Sequence, residues 1–297
     1  MKTLYLFSFT LFLSTFLLSQ HQIGHTTITF NDPLRAGGFG SGGGSGRQIQ
    51  TEIYYPASLA GDDAALASGE FPVIVFGHGF VMAWDAYTNI WEHYVPMGYI
   101  LAFPRTEGGF SPSHNEFGLD LVIVEEKLQL LNNDNGSIFF EGINGNSAIM
   151  GHSMGGGASM IAAANSSSIK TVVGLAPAET DPSAIAAAGN INVPALIFSG
   201  GQDGVTPPAE HHLPIYNALQ SNCKSFVNII GGAHCYFAGT NFNCDFGEST
   251  ASSGISINRA TQQQLTYSVL DNWFDYLLKE NCNAYNSFLS SLDASPS

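Results

Sequence analysis

The sequence predicts an α/β fold: a mostly parallel central sheet flanked by helices, with an antiparallel hairpin at its N-terminal edge. Three observations carry this. From residue 71 onward short apolar runs alternate with helical patterns, the sign of strands joined by crossover helices. Residues 71–76, Phe-Pro-Val-Ile-Val-Phe, are apolar without a break, as a strand covered on both faces must be. Residues 146–160 read as an apolar strand, a glycine-flanked turn with a serine at its apex, and a small-residue helix.

The elements follow in chain order. Met1-Lys2-Thr3, an apolar run over 4–18 and the polar exit Ser19-Gln20-His21 describe a secretory signal peptide, too short for a comfortable membrane span. We therefore expect a leader over 1–20, cut between Leu18 and Gln22, and one exported domain over 21–297. No cysteine follows the run, which argues against a lipoprotein anchor. Residues 25–30 alternate and are β-branched, so they form a strand. Residues 37–46 are almost all Gly and Ser and read as a loop too flexible to pack; no Lys-Ser/Thr follows to make it a phosphate cradle. Residues 47–55 return as the second hairpin strand, ended by Pro56, and 60–69 are a small-residue loop.

After the strand at 71–76 come a helix at 83–94, closed by Pro96-Met97-Gly98, and a strand at 99–103. A helix at 119–131 stops at Asn132-Asn133-Asp134-Asn135-Gly136. The strand at 147–150 and helix at 155–164 are followed by strands at 171–175 and 193–198, and by a helix at 209–219. A last strand at 225–230 and a final helix at 262–278 complete the plan; 287–297 read as a polar, frayed tail.

Composition sets the outer bounds. With 297 residues, 44% hydrophobic, the chain has ample material for a core. The formal net charge of −15 argues against nucleic acid and anionic membrane surfaces as partners, and suits neutral substrates. We expect a monomer with no stable membrane association. Four cysteines in an exported chain allow two disulfides in three pairings. The preferred pairing joins Cys235 to Cys244, and Cys223 to Cys282. No C-x-x-C spacing points to zinc, and we expect no metal or cofactor.

The chemistry centres on Gly151-His152-Ser153-Met154-Gly155, which fits G-x-S-x-G. A serine on a tight strand-to-helix turn needs glycine two positions either side, because side chains there would collide. The helix that begins at once turns its free N–H groups toward a developing oxyanion, with Met154 N–H first among them. A serine hydroxyl needs a base, and the base an orienting acid. Both belong on loops after late strands, at the carboxyl ends of a parallel sheet. Asp203, in Gln202-Asp203-Gly204 after the strand at 193–198, is the acid; Glu179 and Asp181 are reserves. His234, in Gly231-Gly232-Ala233-His234, is the base. His211 and His212 adjoin each other, so they do not share a helix face and make a poor metal site. In Gly77-His78-Gly79-Phe80, the Phe80 N–H is the second oxyanion donor, while His78 anchors the loop. His152, Trp84 and Ala178 are expected to line the cleft.

With these pieces in order, the chain resembles the α/β-hydrolase superfamily. It is most similar to secreted bacterial cutinases and poly(ethylene terephthalate) hydrolases of the dienelactone-hydrolase-like group. The likeness covers roughly residues 50–285 and rests on Gly151-His152-Ser153-Met154-Gly155-Gly156-Gly157, Val193-Pro194-Ala195-Leu196-Ile197-Phe198, Asp203 with Leu213-Pro214-Ile215-Tyr216, and Ile229-Ile230-Gly231-Gly232-Ala233-His234. It implies a Ser153–His234–Asp203 triad with backbone donors at Phe80 and Met154. The implied activity is cleavage of carboxylic esters, polyesters included. Two departures stand out. Ala178 occupies the place where polyester-degrading members carry a tryptophan, and residues 236–257 form a long segment after the histidine. A small-ester esterase of the chlorophyllase-like or acetylhydrolase-like type is the nearest alternative. A non-catalytic binding protein on a hydrolase scaffold is the alternative of another class.

Overall fold

The computed structural model describes residues 20–293; apart from Gln20, the expected leader lies outside them. The chain begins with β1 (Gln22–Asp32), β2 (Gly38–Phe39), β3 (Arg47–Ala57), β4 (Gly61–Asp62) and β5 (Phe71–Gly77). Then α1 (Thr88–Tyr94), β6 (Ile100–Pro104), α2 (His114–Leu131), β7 (Ile143–His152), α3 (Met154–Asn165) and β8 (Thr171–Leu175) alternate. The rest is α4 (Ala184–Ala188), β9 (Ala195–Gly200), α5 (His212–Ala218), β10 (Lys224–Ile229), α6 (Phe242–Ala251), α7 (Arg259–Leu278) and α8 (Cys282–Asp293).

One sheet holds the strands in the order β10-β9-β8-β7-β5-β6-β3-β1-β4, with β2 paired to β3. From β10 to β6 every pairing is parallel; β3 pairs antiparallel with both β6 and β1. All seven residues of β5 are buried, as expected of an unbroken apolar run at the centre of a covered sheet. Alternate side chains face opposite layers. Val73 and Val75 belong to the buried cluster that holds Leu121 of α2 and Ala158 of α3, while Ile74 and Phe76 belong to the one that holds Tyr94 of α1 and Trp273 of α7.

Several expectations are corrected. Residues 37–46 do pack. Gly38 has φ +85 and carries β2 along β3, and a Cβ there would sit 2.0 Å from the Gln48 carbonyl oxygen. Glycine is what lets the insert lie flat on the strand and present Phe39 to Arg105, 4.9 Å from the ring centroid. Pro56 does not end β3; the strand runs to Ala57, and the Pro56 carbonyl accepts from Ala67 N–H at 2.9 Å. The helix at 83–94 is a 3₁₀ turn, Trp84–Tyr87, followed by α1. Of the tail expected to fray, 287–297, the described part to Asp293 belongs to a helix that starts at Cys282, and 294–297 lie outside the described residues. That helix, α8, buries Ala284 and Phe288 and sets the Phe288 ring 5.0 Å from that of Trp273 on α7.

Cys235 and Cys244 are bridged. Cys223 and Cys282 are not; both are free and exposed. The sheet separates them. The α7 terminus that leads to Cys282 is held at the start of β7, where Leu278 O accepts from the Asn144 and Asn146 side chains. Cys223 precedes the edge strand β10, three strand spacings away in the sheet order. At about 4.8 Å per spacing that exceeds the Cα reach of a disulfide.

Candidate active site

Four loops leave the carboxyl ends of β5, β7, β9 and β10, and the site is built where they meet. β7 runs straight into α3 through Ser153, whose backbone has φ 58 and ψ −123. That is a strained conformation for a residue with a side chain, and the surroundings hold it there. Ser153 N–H donates to Leu175 O at 3.0 Å, and its carbonyl accepts from Ala178 and Gly157 N–H. A Cβ on Gly155 would meet the Gly77 carbonyl at 2.1 Å, and one on Gly151 would meet the Gly155 carbonyl at 2.3 Å. Glycine at both positions is therefore a steric condition for the turn, because it lets α3 close on β5.

Ser153 Oγ lies 2.9 Å from His234 Nε2, and His234 Nδ1 lies 2.7 Å from Asp203 Oδ2. A carboxylate only accepts, so Nδ1 carries the proton and Nε2 accepts from the serine. Asp203 and His234 are buried, and Ser153 is 8% exposed. Asp203 Oδ1 also accepts from Val205 and Thr206 N–H, at 2.9 and 2.8 Å. Burial works against the Asp203 charge, but the His234 hydrogen bond and charge and the Thr206 N–H together hold its carboxyl below the usual range.

His234 is fixed through its backbone. Glu248 of α6 accepts from His234 N–H at 3.1 Å and from Cys235 N–H at 2.6 Å. Gln262 of α7 brackets Ala233 with two bonds of 2.8 Å. From below, His152 Nε2 donates to the His234 carbonyl at 3.0 Å. His152 Nδ1 takes the Tyr87 hydroxyl at 3.0 Å, and Tyr87 accepts from Gly79 N–H at 2.8 Å. His152 is fully buried beneath the site and does not face the cleft expected for it. Burial and the nearby His234 charge push its pKa well down, so it is a neutral strut between the Gly79 loop and the base.

The remaining expected residues fall as follows. Met154 opens α3, where the first N–H groups have no partner within the helix. Phe80 follows Gly79 in a turn closed by Met82 N–H on Gly79 O at 3.2 Å; its own N–H takes no part in that bond, and its ring is 49% exposed. His78 is buried, and its two ring nitrogens lie 2.9 Å from Gly79 O and 2.9 Å from Thr106 O, only one of which a neutral ring can serve as donor. Ala178 packs by its backbone against the elbow, and presents only a methyl group. Trp84 donates to Tyr54 OH at 3.2 Å and stacks 4.3 Å from Arg105, beside a pocket shared with Phe39, His78 and Met82. A larger cavity, about 460 Å³, is lined by residues 65–69, by Ile138 and by residues 140–142. It sits at the amino ends of β5 and β7, the far end of the sheet from Ser153. Among the described residues no group of three or more His, Cys, Asp or Glu could hold a metal ion.

Sequence reasoning missed Tyr87, Glu248, Thr206 and His212. Thr206 bonds Asp203 and His212 bonds Thr206, and both had a visible signal: a threonine three residues after Asp203 and a histidine at the start of the next helix.

A ten-stranded, mostly parallel sheet with helices on both faces and a serine on a strained strand-to-helix turn defines an α/β hydrolase. Within that class the chain belongs to the PET hydrolase-like family, whose model matches residues 24–257. Among curated proteins it is 33% identical over 88 residues to Cutinase 1 of Thermobifida cellulosilytica, 29% of this chain and 32% of that one. The cutinase of Thermobifida fusca strain YX is also 33% identical over 88 residues, 28% of its length. Bis(hydroxyethyl) terephthalate hydrolase of Streptomyces coelicolor is 24% identical over 215 residues, 72% of this chain and 60% of that one. The chain thus spans about a third of the cutinases it matches, and no described helix is long and apolar enough to cross a membrane.

Proposed function

We propose that this chain is an exported serine hydrolase that cleaves carboxylic esters, polyesters among them, through Ser153, His234 and Asp203. The observation that carries the reading is the pair of bonds, 2.9 Å from Ser153 Oγ to His234 Nε2 and 2.7 Å from His234 Nδ1 to Asp203 Oδ2. His234 takes the serine proton as Oγ attacks the ester carbonyl. The oxyanion falls to the N–H groups of Phe80 and Met154. His234 then protonates the departing alcohol, and a water activated by the same imidazole releases the acid from the acyl-enzyme. Asp203 fixes the imidazole tautomer and offsets its charge while the proton is held.

Support for polyester as substrate comes from the family and from relatives named as cutinases and as a hydrolase of bis(hydroxyethyl) terephthalate. One observation favours the small-ester reading: Ala178 offers a methyl group where an aromatic platform is expected of polyester-degrading members. The leader over 1–20 supports export. The test is hydrolysis of p-nitrophenyl esters of two to sixteen carbons beside an aliphatic polyester and an amorphous poly(ethylene terephthalate) film, with Ser153→Ala as control. Soluble acid released from either film by the wild type alone bears out polyester cleavage. Turnover of short soluble esters alone reduces the reading to a small-ester esterase. Turnover of nothing leaves a binding protein.

A further inference from the structure

Two side chains outside the triad close in on its acid. Thr206 Oγ1 lies 2.9 Å from Asp203 Oδ2, 2.9 Å from His234 Nδ1 and 3.0 Å from His212 Nε2. It is also 3.4 Å from the Ala176 carbonyl oxygen. His212 Nδ1 in turn lies 2.8 Å from Ser199 Oγ on β9. Thr206, His212 and Ser199 are all buried, and the His212 ring is fully enclosed.

The proton count fixes a direction. A neutral imidazole has one donor and one acceptor nitrogen, and each hydroxyl has one proton to give. If Thr206 donated to His212, its oxygen would face the Asp203 carboxylate lone pair to lone pair at 2.9 Å. The assignment that satisfies every group runs the other way. Ser199 O–H donates to His212 Nδ1, His212 Nε2–H donates to Thr206 Oγ1, and Thr206 O–H donates to Asp203 Oδ2.

We propose that Thr206 and His212 are positioning residues that hold the triad acid through this chain of donors and set the pH at which His234 becomes available as a base. The inference deepens the triad reading and rests on it. Asp203 Oδ2 divides its acceptor strength between His234 Nδ1–H and the Thr206 hydroxyl, so it favours the protonated form of His234 less than a carboxylate given to His234 alone. His212 serves as a donor and not as a second cation: burial foremost, with the His234 and His211 charges adding, lowers its pKa to about 3 against the pull of Asp203.

Other groups also face the base. His152 of β7 lies below it, ring centroids 4.8 Å apart, and Glu248 of α6 takes its backbone N–H. His211, beside His212, is engaged by Glu179 N–H at 2.8 Å.

The experiment is kcat/KM against pH on p-nitrophenyl butyrate for wild type, Thr206→Val, Thr206→Ser and His212→Gln, with circular dichroism to check folding and Ser153→Ala as control. The acid limb of Thr206→Val moves up by ~0.5 pH unit or more, as the carboxylate turns wholly to His234. Thr206→Ser, which keeps the hydroxyl, and His212→Gln, whose amide can still donate to it, return the limb toward its wild-type position. A folded Thr206→Val with its limb unmoved overturns the proposal, whether or not its plateau falls, because lost packing lowers a plateau without moving a limb. If Thr206→Val does not fold, Thr206→Ala against Thr206→Ser is read in the same way. A Ser153→Ala variant that keeps its activity overturns the triad reading instead, so the two failures are told apart.

Discussion

The atoms around Ser153 show how much of a site can lie one bond beyond its reacting groups. Tyr87 hydroxyl joins the Gly79 loop, next to the Phe80 N–H, to His152, and His152 joins the carbonyl of the base. Tyr87→Phe removes that oxygen and leaves Gly79 N–H and His152 Nδ1 buried without partners. We expect a loss of about 1–3 kcal/mol in denaturant melts, and a fall in kcat with KM little changed. Ser153 is legible in sequence, because a tight turn between strand and helix imposes a local pattern, and Asp203 and His234 are legible from their places after late strands. Tyr87 is not, since nothing near it in the chain says where it points, and His212 opens the helix after Asp203 without showing which neighbour it meets. Adjacent histidines on a helix diverge, and here one meets the Glu179 backbone while the other meets the acid loop.

At the scale of elements, α6 decides how the base is held. It carries Glu248 and is tied by Cys235–Cys244 to the residue that follows His234. Replacing both cysteines with serine opens a short loop and costs about 2–3 kcal/mol, read as a shift of the urea midpoint, with activity lost at lower denaturant than in the wild type. The alternating strands and helices from β5 to β10 were readable from unbroken apolar runs. α8 was hidden because its surface is serine-rich, although Ala284, Phe288 and Leu292, four residues apart, face the core. The Cys223–Cys282 pairing failed for a reason no count of cysteines contains: strand order sets the distance, and strand order is non-local.

Over the whole molecule, a buried charge cluster ties the N-terminal hairpin to the hydrolase core. Arg47 of β3 makes a two-pronged pair with Asp120 of α2, both bonds 2.8 Å, and also bonds Glu107. Arg35 reaches the same Asp120 at 2.8 Å. Asp120→Asn weakens the bonds to both guanidinium groups, though Arg35 keeps Asp32 and Glu116 and Arg47 keeps Glu107, and costs about 1–3 kcal/mol, measurable by urea unfolding. Stability also depends on pH with a definite sign. His212, His152 and His78 have pKa values held below 6.5, with burial as the first cause, so each binds more proton when unfolded. Their contribution is complete above pH 6.5 and is lost as pH falls, for His212 down to about 3. His25 has the opposite sign. Burial opposes its charge, but bonds to Asp62 and Glu52 raise its pKa, so its contribution is present below 6.5 and is lost on going higher. Three buried rings against one partly exposed ring give a melting temperature that declines from pH 6.5 toward pH 3, followed by calorimetry.

The central claim is that Ser153 is a nucleophile primed by His234 and Asp203. Its most direct measurement is covalent labelling by an organophosphonate, followed by peptide mass spectrometry. The account predicts one adduct per chain, on Ser153, with ester turnover lost in step, and no adduct in a folded Ser153→Ala variant. An unlabelled wild type, or an equal adduct on another residue in Ser153→Ala, contradicts it.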